Sequence, residues 1–151
     1  MQLPVFFFAL FGASLALNTA TAAPTQPCHE GAVCSASFKY EFVGAAKTFD
    51  EAERNCRSLN GHLTSIADSS ERCYVTLLMY RENRTFVWIG GRVDAANAFS
   101  WTDGSSVNYT DWRLPNPVRL SFDTCVQSFG DFGWTNILCS NHLSSVCKIP
   151  L

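Results

Sequence analysis

The sequence predicts an α+β domain, and three observations lead there. Two capped stretches carry apolar residues at helical spacing, several short runs alternate at the period of a strand, and cysteines are spread through both kinds of segment. The 151 residues suit one ordinary domain, and 47% apolar composition with 13% aromatics is enough to build a core. A formal charge of -2 and the lack of any Lys/Arg cluster argue against nucleic acid as a partner.

Residues 1–22 differ from the rest. Val5 to Leu17 is an apolar run too short to cross a bilayer comfortably, and the small residues ending at Ala22 suit signal-peptidase cleavage before Ala23. The rival reading is a membrane anchor. A signal peptide implies a secreted, extracellular protein, and in that compartment the seven cysteines read as disulfides, because no close Cys-x-x-Cys pair offers a metal site. Seven is odd, so at least one thiol is free or bonds another chain.

Residues 23–37 form a linker or a small stapled loop, with Pro24, Pro27 and the close pair Cys28 and Cys34. From 38 to 151 the elements of the domain follow. Phe38, Tyr40 and Phe42 alternate with Lys39 and Glu41, the pattern of a half-buried strand. Thr48 and Glu51 make a capping box, after which Phe49, Ala52, Cys56 and Leu59 share one face until Asn60-Gly61 stops the helix. His62 to Ile66 is a short extended link. Asp68 and Glu71 signal a second helix start, with Tyr74, Leu77 and Leu78 as its inward stripe. Cys73 lies beside that stripe, which makes it the candidate for the unpaired cysteine, either bonding a second chain as a covalent dimer or staying a partly covered thiol.

Phe86 to Gly91 suits a buried strand whose two glycines admit a neighbouring backbone, and Phe99-Ser-Trp101 alternates before the turn Asp103-Gly104. From Ser105 to Asp123 no period is visible. An irregular loop of this length inside a small domain is usually functional, with Trp112 able to dock it and Leu114-Pro-Asn-Pro117 able to stiffen it. Cys125 to Ser128, a turn at Gly130 to Gly133, Trp134, and Ser145 to Ile149 read as a hairpin and a terminal strand. Trp134, held between two cysteines, reads as a core anchor before a ligand platform. Asn83-Arg-Thr85 and Asn108-Tyr-Thr110 match the N-glycosylation pattern in expected loops.

Taken in order, these residues resemble the C-type lectin-like domain from about Phe38 to Ile149. The likeness rests on Thr48 to Cys56, Gly61-His-Leu63, Trp88-Ile-Gly-Gly91, Trp101-Thr-Asp-Gly104, Pro115-Asn116, Cys125, Trp134, Cys139 and Cys147. The resemblance implies two helices flanking small antiparallel β-sheets, termini side by side, a long loop carrying the binding surface, and disulfides Cys56 to Cys147 and Cys125 to Cys139. It leaves Cys28 and Cys34 without a family counterpart, and a local bridge between them is the simplest proposal.

The family's sugar site uses Ca²⁺, which takes six to eight oxygens, several from carboxylates. Where the resemblance calls for Glu-Pro-Asn or Gln-Pro-Asn the chain has Leu114-Pro115-Asn116, and where it calls for Trp-Asn-Asp the chain has Trp134-Thr135-Asn136. With Asp123 as the loop acid, one carboxylate, two amides and a hydroxyl fall short of that donor set, so no cofactor is expected. Asn116, Asp123, Asn136 and Trp112 remain as candidate ligand-binding residues, while Tyr109, Trp112 and Phe132 either stack on a sugar or anchor loops. The expected function is a secreted lectin-like module that binds an extracellular glycan or protein. The alternatives are a calcium-dependent lectin with a degenerate site and a protein-interaction or inhibitory module. The resemblance places His62 where it packs beside the first helix, and His29 and His142 have no recognisable nucleophile partner, so an enzyme is not expected.

Overall fold

The computed structural model describes residues 37–151. The expected signal peptide, most of the linker, His29, and Cys28 with Cys34 lie outside the described residues. In order, the elements are β1 (Phe38–Lys47), α1 (Phe49–Ser58), β2 (His62–Leu63), α2 (Ser69–Arg81), β3 (Val87–Val93), β4 (Phe99–Trp101), β5 (Thr124–Ser128), a 3₁₀ turn (Gly130–Phe132), β6 (Trp134–Ile137) and β7 (Leu143–Pro150).

The strands join in the order β1-β7-β3-β5-β6, with β2 added on β7 and β4 on β3. β1 and β7 pair antiparallel from Phe38 opposite Pro150 to Lys47 opposite Leu143, and the Leu151 amide donates to the Ser37 carbonyl, so the ends of the domain lie together. The expected antiparallel arrangement has one exception. β3 meets β7 in parallel at Val87/Ser144 and Trp88/Ser145, making the sheet mixed. No hairpin connects these two strands, so chain continuity does not dictate their sense.

Local chemistry explains both helices. Thr48 caps α1 in a reciprocal box with Glu51, and Phe49, Ala52 and Cys56 turn inward. Asp68 caps α2 by accepting from the Ser70 and Glu71 amides. The inward face of α2 departs from the expected stripe. Val75, Leu78 and Met79 enter the core, whereas Tyr74 and Leu77 are half-buried. The periodicity misled because polar residues share that face: Glu71 and Arg72 are buried and partnered. Lys148 Nζ lies 2.6 Å from Glu71 Oε1, Tyr40 donates its hydroxyl proton to the same oxygen, and the Ala67 amide donates to Oε2.

Alternation along β3 feeds two apolar clusters. Val87 and Ile89 face one that includes Val75, Met79, Val126 and Trp134, while Trp88 faces another with Phe49, Leu63 and the disulfide of Cys56. Gly90 is required there, since a Cβ on it would stand 2.5 Å from the Leu63 carbonyl oxygen. No helix among the described residues is long and apolar enough to cross a membrane.

Both disulfides implied by the resemblance form. Cys56–Cys147 spans 91 residues and ties α1 to β7; Cys125–Cys139 spans 14 and closes the β5–β6 hairpin with its exit. On the loop-entropy account they contribute about 4 to 5 and about 3 kcal/mol. The reading of Cys73 as the unpaired cysteine is corrected: it is disulfide-bonded, and the other four described cysteines bond one another. Position beside the apolar stripe said nothing about a partner far off in sequence. Alkylation of the native, non-reduced protein followed by peptide mapping is therefore expected to leave Cys73 unmodified. Stoichiometric labelling at Cys73 would refute the assignment.

Candidate functional site

The long loop after β4 is fastened at intervals along its length. At its root, Ser65 donates its hydroxyl proton to Asp103 Oδ2 at 2.5 Å, and the Ser105 amide and hydroxyl donate to Asp103 Oδ1. Burial pushes the Asp103 carboxyl up, but the hydrogen bonds from Ser105 and Ser65 outweigh it and hold the pKa below its ordinary value.

Midway, the loop runs beside β6. The Trp134 amide donates to the Asp111 carbonyl at 2.6 Å and the Arg113 amide donates to the Trp134 carbonyl at 3.0 Å. Gly133 makes this approach possible: its φ is +88°, and a Cβ would sit 2.5 Å from the Asp111 oxygen. Arg72 of α2 adds an ionic tie. Its Nε donates to Asp111 Oδ2 at 2.6 Å and its Nη2 to the Asp131 carbonyl at 2.9 Å, with the guanidinium almost wholly buried. Removing one partner of so buried a pair leaves the other charge uncompensated, which makes the tie costly to break.

Trp134, fully buried, is the hub for the aromatic side chains. Trp101, Tyr109 and Trp112 meet its ring edge-on with centroids 5.3, 5.8 and 5.8 Å away, and Phe99 packs against Trp101 and Trp112. Tyr109 and Trp112 are thus loop anchors, half inside the core. Burial, with Asp111 nearby, raises the Tyr109 pKa. Phe132 behaves differently: it stands in the 3₁₀ turn and is 64% exposed.

The remaining candidates have these positions. Asn136 is 6% exposed; its amide donates to the Val118 carbonyl and to Thr124 Oγ1, and its Oδ1 accepts from the Val118 amide. All of its hydrogen-bonding groups therefore face the fold. Asn116 donates to the Arg113 carbonyl through both its side chain and its backbone, and Asp123 Oδ1 accepts from the Ala95 amide. Among the described residues, each keeps one side-chain oxygen without a hydrogen-bond partner. The bonds Leu114–Pro115 and Asn116–Pro117 are both cis. Leu114 is 87% exposed and offers no oxygen.

These residues do not fit a calcium ion. Of the expected donors, Asn136 is bonded inward, Leu114 is alkyl, and among the described residues no three His, Cys, Asp or Glu side chains gather as a metal site. His62 packs against α1, as the resemblance implied, with Nδ1 2.6 Å from Glu53 Oε1.

Two helices on a mixed sheet, two bridging disulfides and a tethered loop beside β6 define a C-type lectin-like binding domain. The family model described as "Lectin C-type domain" matches residues 45–149, and the chain belongs to that family. It is 37% identical over 123 residues to an alpha-N-acetylgalactosamine-specific lectin of Patiria pectinifera, covering 73% of each chain. It is 36% identical over 105 residues to a type-2 ice-structuring protein of Brachyopsis segaliensis, covering 68% of this chain and 60% of that one. A solved calcium-independent type II antifreeze protein superposes with a TM-score of 0.66 at 32% identity, covering 79% of this chain and 96% of the other. The family is one of lectin-like binding domains rather than of enzymes.

Asp103 yields a test of the loop root. A carboxyl whose folded pKa is depressed adds stability above its unfolded value, and that stability is lost as pH falls through the folded one. Below the ordinary Asp value of 3.8, wild type should therefore lose stability on acidification more steeply than Asp103→Asn. Urea midpoints measured across that range check this; parallel curves would contradict it.

Proposed function

We propose that the chain is a secreted binding module that recognises an extracellular carbohydrate or protein surface without calcium at the long-loop site. The observation that carries this reading is the replacement of ion ligands by internal bonds. Asn136 holds Val118 where a carboxylate would face a metal, and Leu114 puts an alkyl chain where an oxygen is needed.

What the loop presents outward suits direct contact. Leu114, Val118 and Phe122 are exposed, as are the charged Arg113 and Arg119 beside them. Such a mixture of apolar side chains with Arg is typical of protein-binding surfaces. Asn116 and Asp123 each keep an acceptor oxygen for a sugar hydroxyl or a partner's N–H. Asn136 and Trp112 contribute by holding the loop. The likeness to a lectin favours carbohydrate, and the likeness to ice-structuring proteins favours a second reading, an ice surface met by the same exposed loop.

Calorimetry and array binding against a glycan panel, with calcium and then with a chelator, separate these readings. The expected result is binding that survives chelation and weakens at least tenfold, about 1.4 kcal/mol, in an Asn116→Ala, Asp123→Ala double variant. Binding abolished by chelator would favour a calcium-dependent lectin. No glycan binding together with thermal hysteresis in ice-growth assays would favour the second reading.

A further inference from the structure

A recess lies between the end of α2 and the 3₁₀ turn, beside Arg113 of the long loop. It is lined by Tyr80, Asn83, Arg84, Thr85, Phe129, Gly130 and Phe132, with a volume of about 230 Å³. That is less than the roughly 300–1,000 Å³ of pockets enclosing a drug-sized ligand, and it suits a single sugar ring. One wall is a ladder of rings. Phe86 stacks on Phe129 at 4.6 Å, Phe129 meets Phe132 at 4.9 Å, and the Arg113 guanidinium lies over both Phe129 and Phe132. Phe132 and Tyr80 are nevertheless 64% and 56% exposed, and Tyr80 is held by donating its hydroxyl proton to Asp131.

The rim of this recess is the Asn83-Arg-Thr85 sequon. Its backbone is fixed by a Schellman ending to α2: the Asn83 amide donates to the Tyr80 carbonyl at 3.0 Å and the Arg84 amide to the Met79 carbonyl at 2.8 Å, with Asn83 at φ +51°. Asparagine tolerates that left-handed conformation better than most residues. Its side chain is exposed and, among the described residues, has no hydrogen-bond partner; the same holds for Thr85.

We propose that Asn83 is glycosylated and that the first N-acetylglucosamine of that glycan sits in the adjoining recess, its apolar face against Phe132 and Phe129. The anchored Asn83 backbone sends the linked sugar off in a restricted direction, and both ends of the sequon line the recess, so the occupant is the chain's own glycan. Seating the ring removes exposed aromatic surface from water. The proposal rests on the secretory passage assumed above, and appearance of the protein in culture medium tests that passage separately.

The full chain carrying Thr110→Ala, secreted from a eukaryotic cell, retains Asn83 as its one sequon. Peptide mapping should find glycan on Asn83. Trimming with an endoglycosidase to a single N-acetylglucosamine should leave Tm unchanged, whereas a Thr85→Ala version, which never acquires sugar and keeps Asn83, should melt about 3–6 °C lower. Phe132→Ala should lower the Tm of the glycosylated form and erase the gap between glycosylated and sugar-free forms. An unmodified Asn83, equal melting of the three forms, or a gap that persists in Phe132→Ala would each overturn the proposal. So would Phe132-dependent binding of free N-acetylglucosamine by a protein unmodified at Asn83, since the recess would then serve a sugar from another molecule.

Discussion

The joint between Trp134 and the long loop is the constraint on which this molecule depends. A fully buried indole takes Trp101, Tyr109 and Trp112 edge-on, while the backbone of the same residue donates to Asp111 and accepts from Arg113. Sheet and loop thereby share one residue as side-chain core and as main-chain rung. Without it, the loop would lose both its apolar anchor and two of its hydrogen bonds.

Other ties act on the same segment from different sides. Arg72 reaches Asp111 from α2, Asn136 clasps Val118 from β6, and Asp123 accepts from Ala95 in the turn before β4. Neutral amides and one buried ion pair here do the work that a divalent ion does in a calcium-binding loop, cross-linking backbone segments that have no regular ladder of their own. On the proposed reading, a loop organised this way keeps its shape independently of metal supply and leaves its outward side chains free to differ from those of a sugar site built around an ion.

Much of the scaffold was legible in the letters because it arises from short-range chemistry. The Thr48 capping box, the Asp68 cap and alternation through Phe38 to Phe42 can each be read within a few residues. The two described disulfides required the ordered resemblance. What escaped is long-range. The buried face of α2 was misread because Arg72 is matched to Asp111, 39 residues away, and Glu71 to Lys148, 77 away. Cys73 was misread for the same reason. The roles of Asn116, Asp123 and Asn136 depend on where an aperiodic loop passes, and nothing in their spacing encodes that path.

Hydrogen exchange across residues 104–134 tests the central claim most directly, measured once in calcium and once in chelator. If internal bonds hold the loop, the Val118 amide, bonded to Asn136, and the Trp134 amide, bonded to Asp111, exchange at the same rates in both. Slower exchange of the loop in calcium would contradict the account, because an ion would then be supplying cross-links here assigned to Asn136, Arg72 and Trp134.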